Sequence, residues 1–232
     1  MRFPNSSAES SPVNKRSEIY RFRIDNWISE TDANLLLKRQ AEVAMRRKDY
    51  DTALSLYERL IQYEPDSAEH YNNRGLICYI TKQWAKAEAD YNRAIALDPE
   101  QACTYNNRAN LYAVRKAWAD AIADYDTAID LNPLNMRARL NQAITFREIG
   151  EYQESLACLD IALLLVGSTD KSNFLCASIC AERGRTYHIQ GCWNCALADY
   201  RRALSLSDNE AVTRRVTRWR NALTSECGQL SH

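Results

Sequence analysis

The sequence predicts an all-α solenoid, a stack of short helix pairs closed by a terminal helix. Three observations carry that prediction. Ala, Leu, Arg, Glu and Asn are plentiful, while the 232 residues include only six Gly and five Pro, a balance that favours long helices broken by short turns. Aromatic residues recur at Tyr50, Trp84, Trp118 and Tyr152, each 34 residues from the last. Proline closes the intervals at Pro65, Pro99 and Pro133, with Gly167 at the equivalent place in the fourth. Proline cannot continue a helical hydrogen-bond ladder, so it marks where each pair ends.

Four further columns share the period. Small residues stand at Ala53, Ala87, Ala121 and Ser155, followed by Tyr57, Tyr91, Tyr125 and Leu159, then by Leu60, Ala94, Ala128 and Ala162. Upstream, a second small-residue column reads Ala41, Gly75, Ala109 and Ala143. Self-similarity at a fixed period of this length is the signature of a repeat array. The segments YNNRGLICYITKQWAKAEADYNRAIALDP (71–99) and YNNRANLYAVRKAWADAIADYDTAIDLNP (105–133) closely resemble the consensus of the tetratricopeptide repeat (TPR). That resemblance implies a right-handed superhelix of 34-residue helix–turn–helix units, with small residues where the two helices touch.

Taken in chain order, residues 1–17 are Ser-rich, contain two Pro and read as a disordered tail. Residues 18–33 form a lead-in segment of ambiguous period. Tyr20, Phe22 and Ile24 alternate like a strand, whereas Tyr20, Ile24, Trp27 and Ile28 match a helix face. Four regular repeats follow at 34–67, 68–101, 102–135 and 136–169. In a fifth, at 170–208, Gly184, Trp193, Ala196, Tyr200 and Ala203 fall 41 residues after their counterparts rather than 34. Seven extra residues are about two helical turns, which predicts a first helix lengthened at its start, from near Thr169 or Asp170 to about Ile189. Residues 209–224 carry the stripe Val212, Val216, Trp219 and Leu223 with Arg214, Arg215, Arg218 and Arg220 largely outside it. This is the apolar-inside, polar-outside pattern of a capping helix. Residues 225–232 are left as a tail.

Composition bears on function by exclusion. Lys+Arg and Asp+Glu balance at 30 each, so the basic excess of a general nucleic-acid or anionic-membrane binder is missing. The Arg-rich C-terminal end keeps a nucleic-acid role as a minor alternative, without a neighbouring aromatic platform to stack bases. No apolar span long enough for a bilayer and no secretory leader are visible, and the expectation is a cytoplasmic protein. No Gly-rich phosphate loop, nucleophile elbow or H-E-x-x-H pair occurs, and His70, His188 and His232 are scattered. Catalysis and cofactors are therefore not expected. Of eight cysteines, Cys176, Cys180, Cys192 and Cys195 look clustered. However, the repeat phase separates Cys180 from Cys192 by about 18 Å along one helix, too far to share a zinc ion, so reduced thiols and no metal are expected.

The resemblance implies an interaction scaffold that holds an extended segment of a partner protein on a concave face lined by the first helix of each unit. Transferred by unit position, the peptide-binding residues are Asn72, Asn73, Tyr79, Asn106, Asn107, Asn110, Arg137, Asn141, Arg147 and Arg185. Asn73, Asn107 and Asn141 form a ladder at one position, similar to the asparagine ladder of the TPR region of O-linked N-acetylglucosamine transferase. An Asn amide both donates and accepts, so it can pair with a peptide backbone whatever its side chains. Helix–helix hydrogen bonding is the other reading of the same ladder. The arginines suit a carboxylate, but the clamp by which some TPR domains hold heat-shock chaperone tails is matched only in part: at Lys38 and Asn73 in one register, with Glu42 opposing it, and at Asn107 and Arg137 one repeat later, where Asn72, Leu76 and Asn141 do not fit. A self-associating scaffold, such as a homodimer, or an assembly or chaperone-type factor is the alternative. The Tyr20, Phe22, Ile24 segment is also a candidate occupant of the groove in cis.

Overall fold

The computed structural model of the chain describes residues 30–167 and 173–229, all in helices and short connections. They divide at His70 into two compact units. The first unit holds α1 (Glu30–Arg47), α2 (Tyr50–Tyr63) and the first residues of α3. Helices α1 and α2 pack together, with Ala41, Ala53, Tyr57 and Leu60 buried. The turn between them is made by Lys48 at φ 61°, after which Asp49 caps α2 by accepting from the Thr52 amide at 3.3 Å. The Glu64 carboxylate lies 2.8 Å from Nε2 of the buried His70.

In the second unit, α3 (Ala68–Ile80) and α4 (Trp84–Leu97) open a series of helix pairs. It continues through α5 (Ala102–Val114), α6 (Trp118–Leu131), α7 (Met136–Glu148), α8 (Tyr152–Gly167), α9 (Asn173–Ile189) and α10 (Trp193–Leu206). It ends with α11 (Glu210–Gln229). From α4 onward each helix packs on the next, and α5 also packs on α7, α7 on α9, and α9 on α11. The last of these helices thus occupies the place of a further first helix, resting on both α9 and α10.

The columns read from the sequence are the contacts. Ala87, Ala121, Ser155 and Ala196 are fully buried, as are Tyr91, Leu159 and Tyr200. A Cβ at Gly75 would stand 2.8 Å from Tyr91 Cε1, and one at Gly184 2.8 Å from Tyr200 Cδ1. The close approach of first to second helix therefore needs glycine at these two sites. Each turn inside a pair passes through one left-handed residue: Lys82 (φ 62°), Lys116 (φ 60°), Gly150 (φ 89°) and Gly191 (φ 78°).

One boundary differs from expectation. In the fifth repeat, α9 has 17 described residues against 13 in α7. The predicted start near Thr169 or Asp170 lies outside the described residues, as do the predicted tail 1–17 and most of the lead-in. The terminal helix runs on to Gln229 rather than stopping at residue 224, because Glu226 brings its carboxylate within 3.0 Å of His188 Nε2. Its start is fixed by Asn209, whose Oδ1 accepts from the Ala211 and Val212 amides.

Candidate peptide-binding face

Helices α3, α5 and α7 bring the predicted asparagines together. Their side chains form a connected network within and between these helices. Asn107 Nδ2 donates to Asn72 Oδ1 at 2.9 Å, and Asn72 Nδ2 donates to Asn73 Oδ1 at 3.3 Å. Asn106 Nδ2 donates to Asn107 Oδ1 at 3.5 Å. Asn141 Nδ2 donates to Asn110 Oδ1 at 2.9 Å and to Asn106 Oδ1 at 3.4 Å. Asn72 is buried and the others are half-buried. The ladder therefore joins helix to helix, and it still has capacity to spare. Asn73 engages only its Oδ1 within the described residues, and Asn141 only its Nδ2, which leaves a donor at one end and an acceptor at the other.

At the fifth repeat the chemistry changes. The position held by Asn73, Asn107 and Asn141 is taken by Glu182, which is buried. Arg147 reaches Glu182 Oε2 at 2.8 Å, and Arg215 of α11 reaches its Oε1 at 3.2 Å. Arg147 is itself nearly enclosed and its Nε has no partner among the described residues. Arg185 and Arg215 both lie over the Trp219 ring, at 5.7 and 4.9 Å from its centre, a favourable cation–π geometry. His188 bridges Tyr200 and Glu226. Of the other predicted residues, Tyr79 stacks obliquely on Trp84 at 5.6 Å and burial pushes its hydroxyl pKa up, while Arg137 is exposed.

Sequence reading missed Glu182, Arg215 and Glu226, and also a column of ion pairs behind the face. Arg74 grips Asp90 with two hydrogen bonds of 2.9 and 2.6 Å, Arg108 grips Asp124 at 2.7 and 2.8 Å, and Arg183 grips Asp199 at 2.7 Å twice. Hydrogen bonding to Asp124 raises the Arg108 pKa above its usual value, so this half-buried guanidinium stays charged. The signal was present: Arg and Asp recur 16 residues apart in three repeats. In the fourth both change together, to Gln142 and Cys158, whose thiol lies 3.5 Å from Gln142 Oε1.

The tetratricopeptide repeat family matches residues 38–102 and 107–171, more than half of the chain. The chain is a tetratricopeptide-repeat protein. Its fold is shared with solved TPR structures at low sequence identity. PilW, described as a widely conserved type IV pilus biogenesis factor, aligns with a TM-score of 0.68 at 19% identity, covering 84% of this chain and 90% of that one. A thermophilic TPR protein of Thermus thermophilus, TTC0263, gives 0.67 at 19% identity, covering 79% and 97%. YrrB, described as a TPR protein with an unusual peptide-binding site, gives 0.56 at 15% identity, covering 77% and 88%. No curated protein matches the sequence. Among the described residues no helix is long and apolar enough to cross a membrane, and no cluster of three metal-binding side chains occurs.

Proposed function

We propose that this TPR protein is an interaction scaffold that holds an extended segment of a partner protein along α3, α5 and α7. The amide network carries the reading. Asn73, Asn72, Asn107, Asn106 and Asn141 run continuously across three helices, and unused donors and acceptors remain at its ends. An extended backbone offers alternating N–H and C=O groups that such amides can pair with. The exposed Arg137 beside the row favours a segment carrying an acidic side chain. By contrast, Arg147 is committed to Glu182, so it shapes the end of the groove and does not itself clamp a carboxylate.

The test is affinity capture with wild type beside an Asn73/Asn107/Asn141→Ala variant, followed by titration of any captured protein. Each lost hydrogen bond is expected to weaken binding by about 0.5–1.5 kcal/mol. Because the same amides link helices, thermal melts of both proteins are needed alongside. A variant that melts lower yet binds every captured protein equally well would reduce the ladder to packing and overturn the proposal.

A further inference from the structure

The fifth repeat carries two cysteines where the other repeats carry mostly polar side chains. Cys192 stands at the place of Asp49, Gln83, Ala117 and Glu151, and Cys195 at that of Thr52, Lys86, Asp120 and Glu154. Core packing does not account for the pair. Cys195 is exposed and Cys192 half-buried, whereas Cys78 and Cys180 are buried in the manner of small apolar residues.

Cys192 is the N-cap of α10, and Cys195 lies in its first turn. The cap backbone is held on both sides. Its N–H donates to the Tyr187 carbonyl at 2.9 Å, and its own carbonyl accepts from the Ala196 amide at 3.0 Å. Residues three apart on a helix have Cα atoms about 5 Å from one another, inside the roughly 4.4–6.8 Å that a disulfide spans. The side chains of an N-cap and of the third residue after it meet, as they do in a capping box. Here the two thiols are in hydrogen-bond contact, and the Cys192 side chain caps no amide of α10.

We propose that Cys192 and Cys195 form a reversible dithiol–disulfide site, oxidised by low-molecular-weight disulfides of the glutathione class. The Cys192 thiolate attacks one sulfur of such a disulfide, forming a mixed disulfide and expelling one thiolate. Cys195 then loses its proton to solvent and attacks Cys192 Sγ, which breaks the mixed disulfide and expels the second thiolate. The two cysteines thereby give up two electrons and two protons, and the external disulfide becomes two thiols. Hydrogen bonding to Cys192 raises the Cys195 pKa above its usual value, which assigns the first attack to Cys192. Cys176 and Cys180 also share a helix face, four residues apart on α9, but Cys180 is buried and out of an external disulfide's reach.

Peptide mass spectrometry of the full chain, after incubation with oxidised glutathione, acid quenching and trypsin digestion, tests this. Cleavage after Arg185 and Arg201 releases residues 186–201, which hold Cys192 and Cys195 and no other cysteine. That peptide is expected to become lighter by two hydrogens and to recover its mass with dithiothreitol. The exposed Cys103 serves as the reference single thiol that takes up glutathione, and unmodified Cys180 reports that the chain stayed folded. Cys195→Ser should trap on Cys192 the glutathione adduct that wild type does not accumulate. Adducts on both cysteines, no change under conditions that modify Cys103, or a link from either to another cysteine would overturn the proposal.

Discussion

Two tyrosines at equivalent places in adjacent repeats differ in what their hydroxyls meet. Tyr125 donates to Asn110 Oδ1 at 2.7 Å. Tyr91 is buried with no hydrogen-bond partner for its hydroxyl among the described residues, because the residue matching Asn110 in its repeat is Leu76. Burying an unpaired hydroxyl is costly, whereas a paired one contributes about 0.5–1.5 kcal/mol. Tyr125→Phe is therefore expected to lower stability by about 1 kcal/mol, and Tyr91→Phe to leave it unchanged or raise it. Urea unfolding of the two variants checks the contrast; equal losses would contradict it. The tyrosine column itself was legible as a period in the sequence. Its hydrogen bonding was not, since the acceptor comes from a different helix and is set by a position that varies between repeats.

At the scale of elements, helix pairs were readable because apolar and small residues repeat with the helical period, and their ends were readable from proline. The terminal boundaries were less so. Helix α11 outruns its apolar stripe, and what extends it is a polar contact between Glu226 and His188, which leaves no mark on hydrophobic periodicity. The turns inside the pairs show a similar local effect. Gly150 and Gly191 take the left-handed conformation without steric penalty, but Lys48, Lys82 and Lys116 hold it at φ near 60°. A left-handed L-residue costs about 1–2 kcal/mol, partly offset by the extra unfolded-state freedom of glycine. Lys82→Gly is thus expected to stabilise by roughly 0.5–1 kcal/mol, read as a higher urea midpoint. Lys82→Ala, which keeps a Cβ, should give no such gain.

Across the whole molecule, buried acids tie stability to alkaline pH. Burial pushes the Tyr200 hydroxyl up to about 12 and raises Tyr91 and Tyr125 further. It also lifts the Cys180 thiol to about 12. All four are raised above their unfolded values, so their contribution is intact below about pH 9 and is lost as pH climbs through 10 toward 12. The unfolded chain releases these protons first, and each group can remove about 1.4 kcal/mol per pH unit in that window. Helical circular dichroism between pH 8 and 12 should show a flat stretch and then a steep loss of urea resistance, made shallower by Tyr200→Phe. A loss centred below pH 8 would point to other groups. The array as a whole was the most legible level, because six columns repeat it. The candidate face was only half legible: its asparagines stand in columns, but Glu182, Arg147 and Arg215 form a cluster that the repeat pattern does not generate.

Under the proposed function, that cluster would set how a bound strand keeps its place. A row of identical amides is degenerate under translation. Neighbouring helices lie about 8–10 Å apart and an extended strand advances about 3.3 Å per residue. A segment seated on Asn73 and Asn107 could therefore slide about three residues and pair equally well with Asn107 and Asn141. Glu182 breaks the degeneracy: it fills the next place in the column with a charge held by Arg147 and Arg215. Under the proposed function, sliding would stop there, and a groove that otherwise reads only backbone would acquire an origin from which position along the strand is counted.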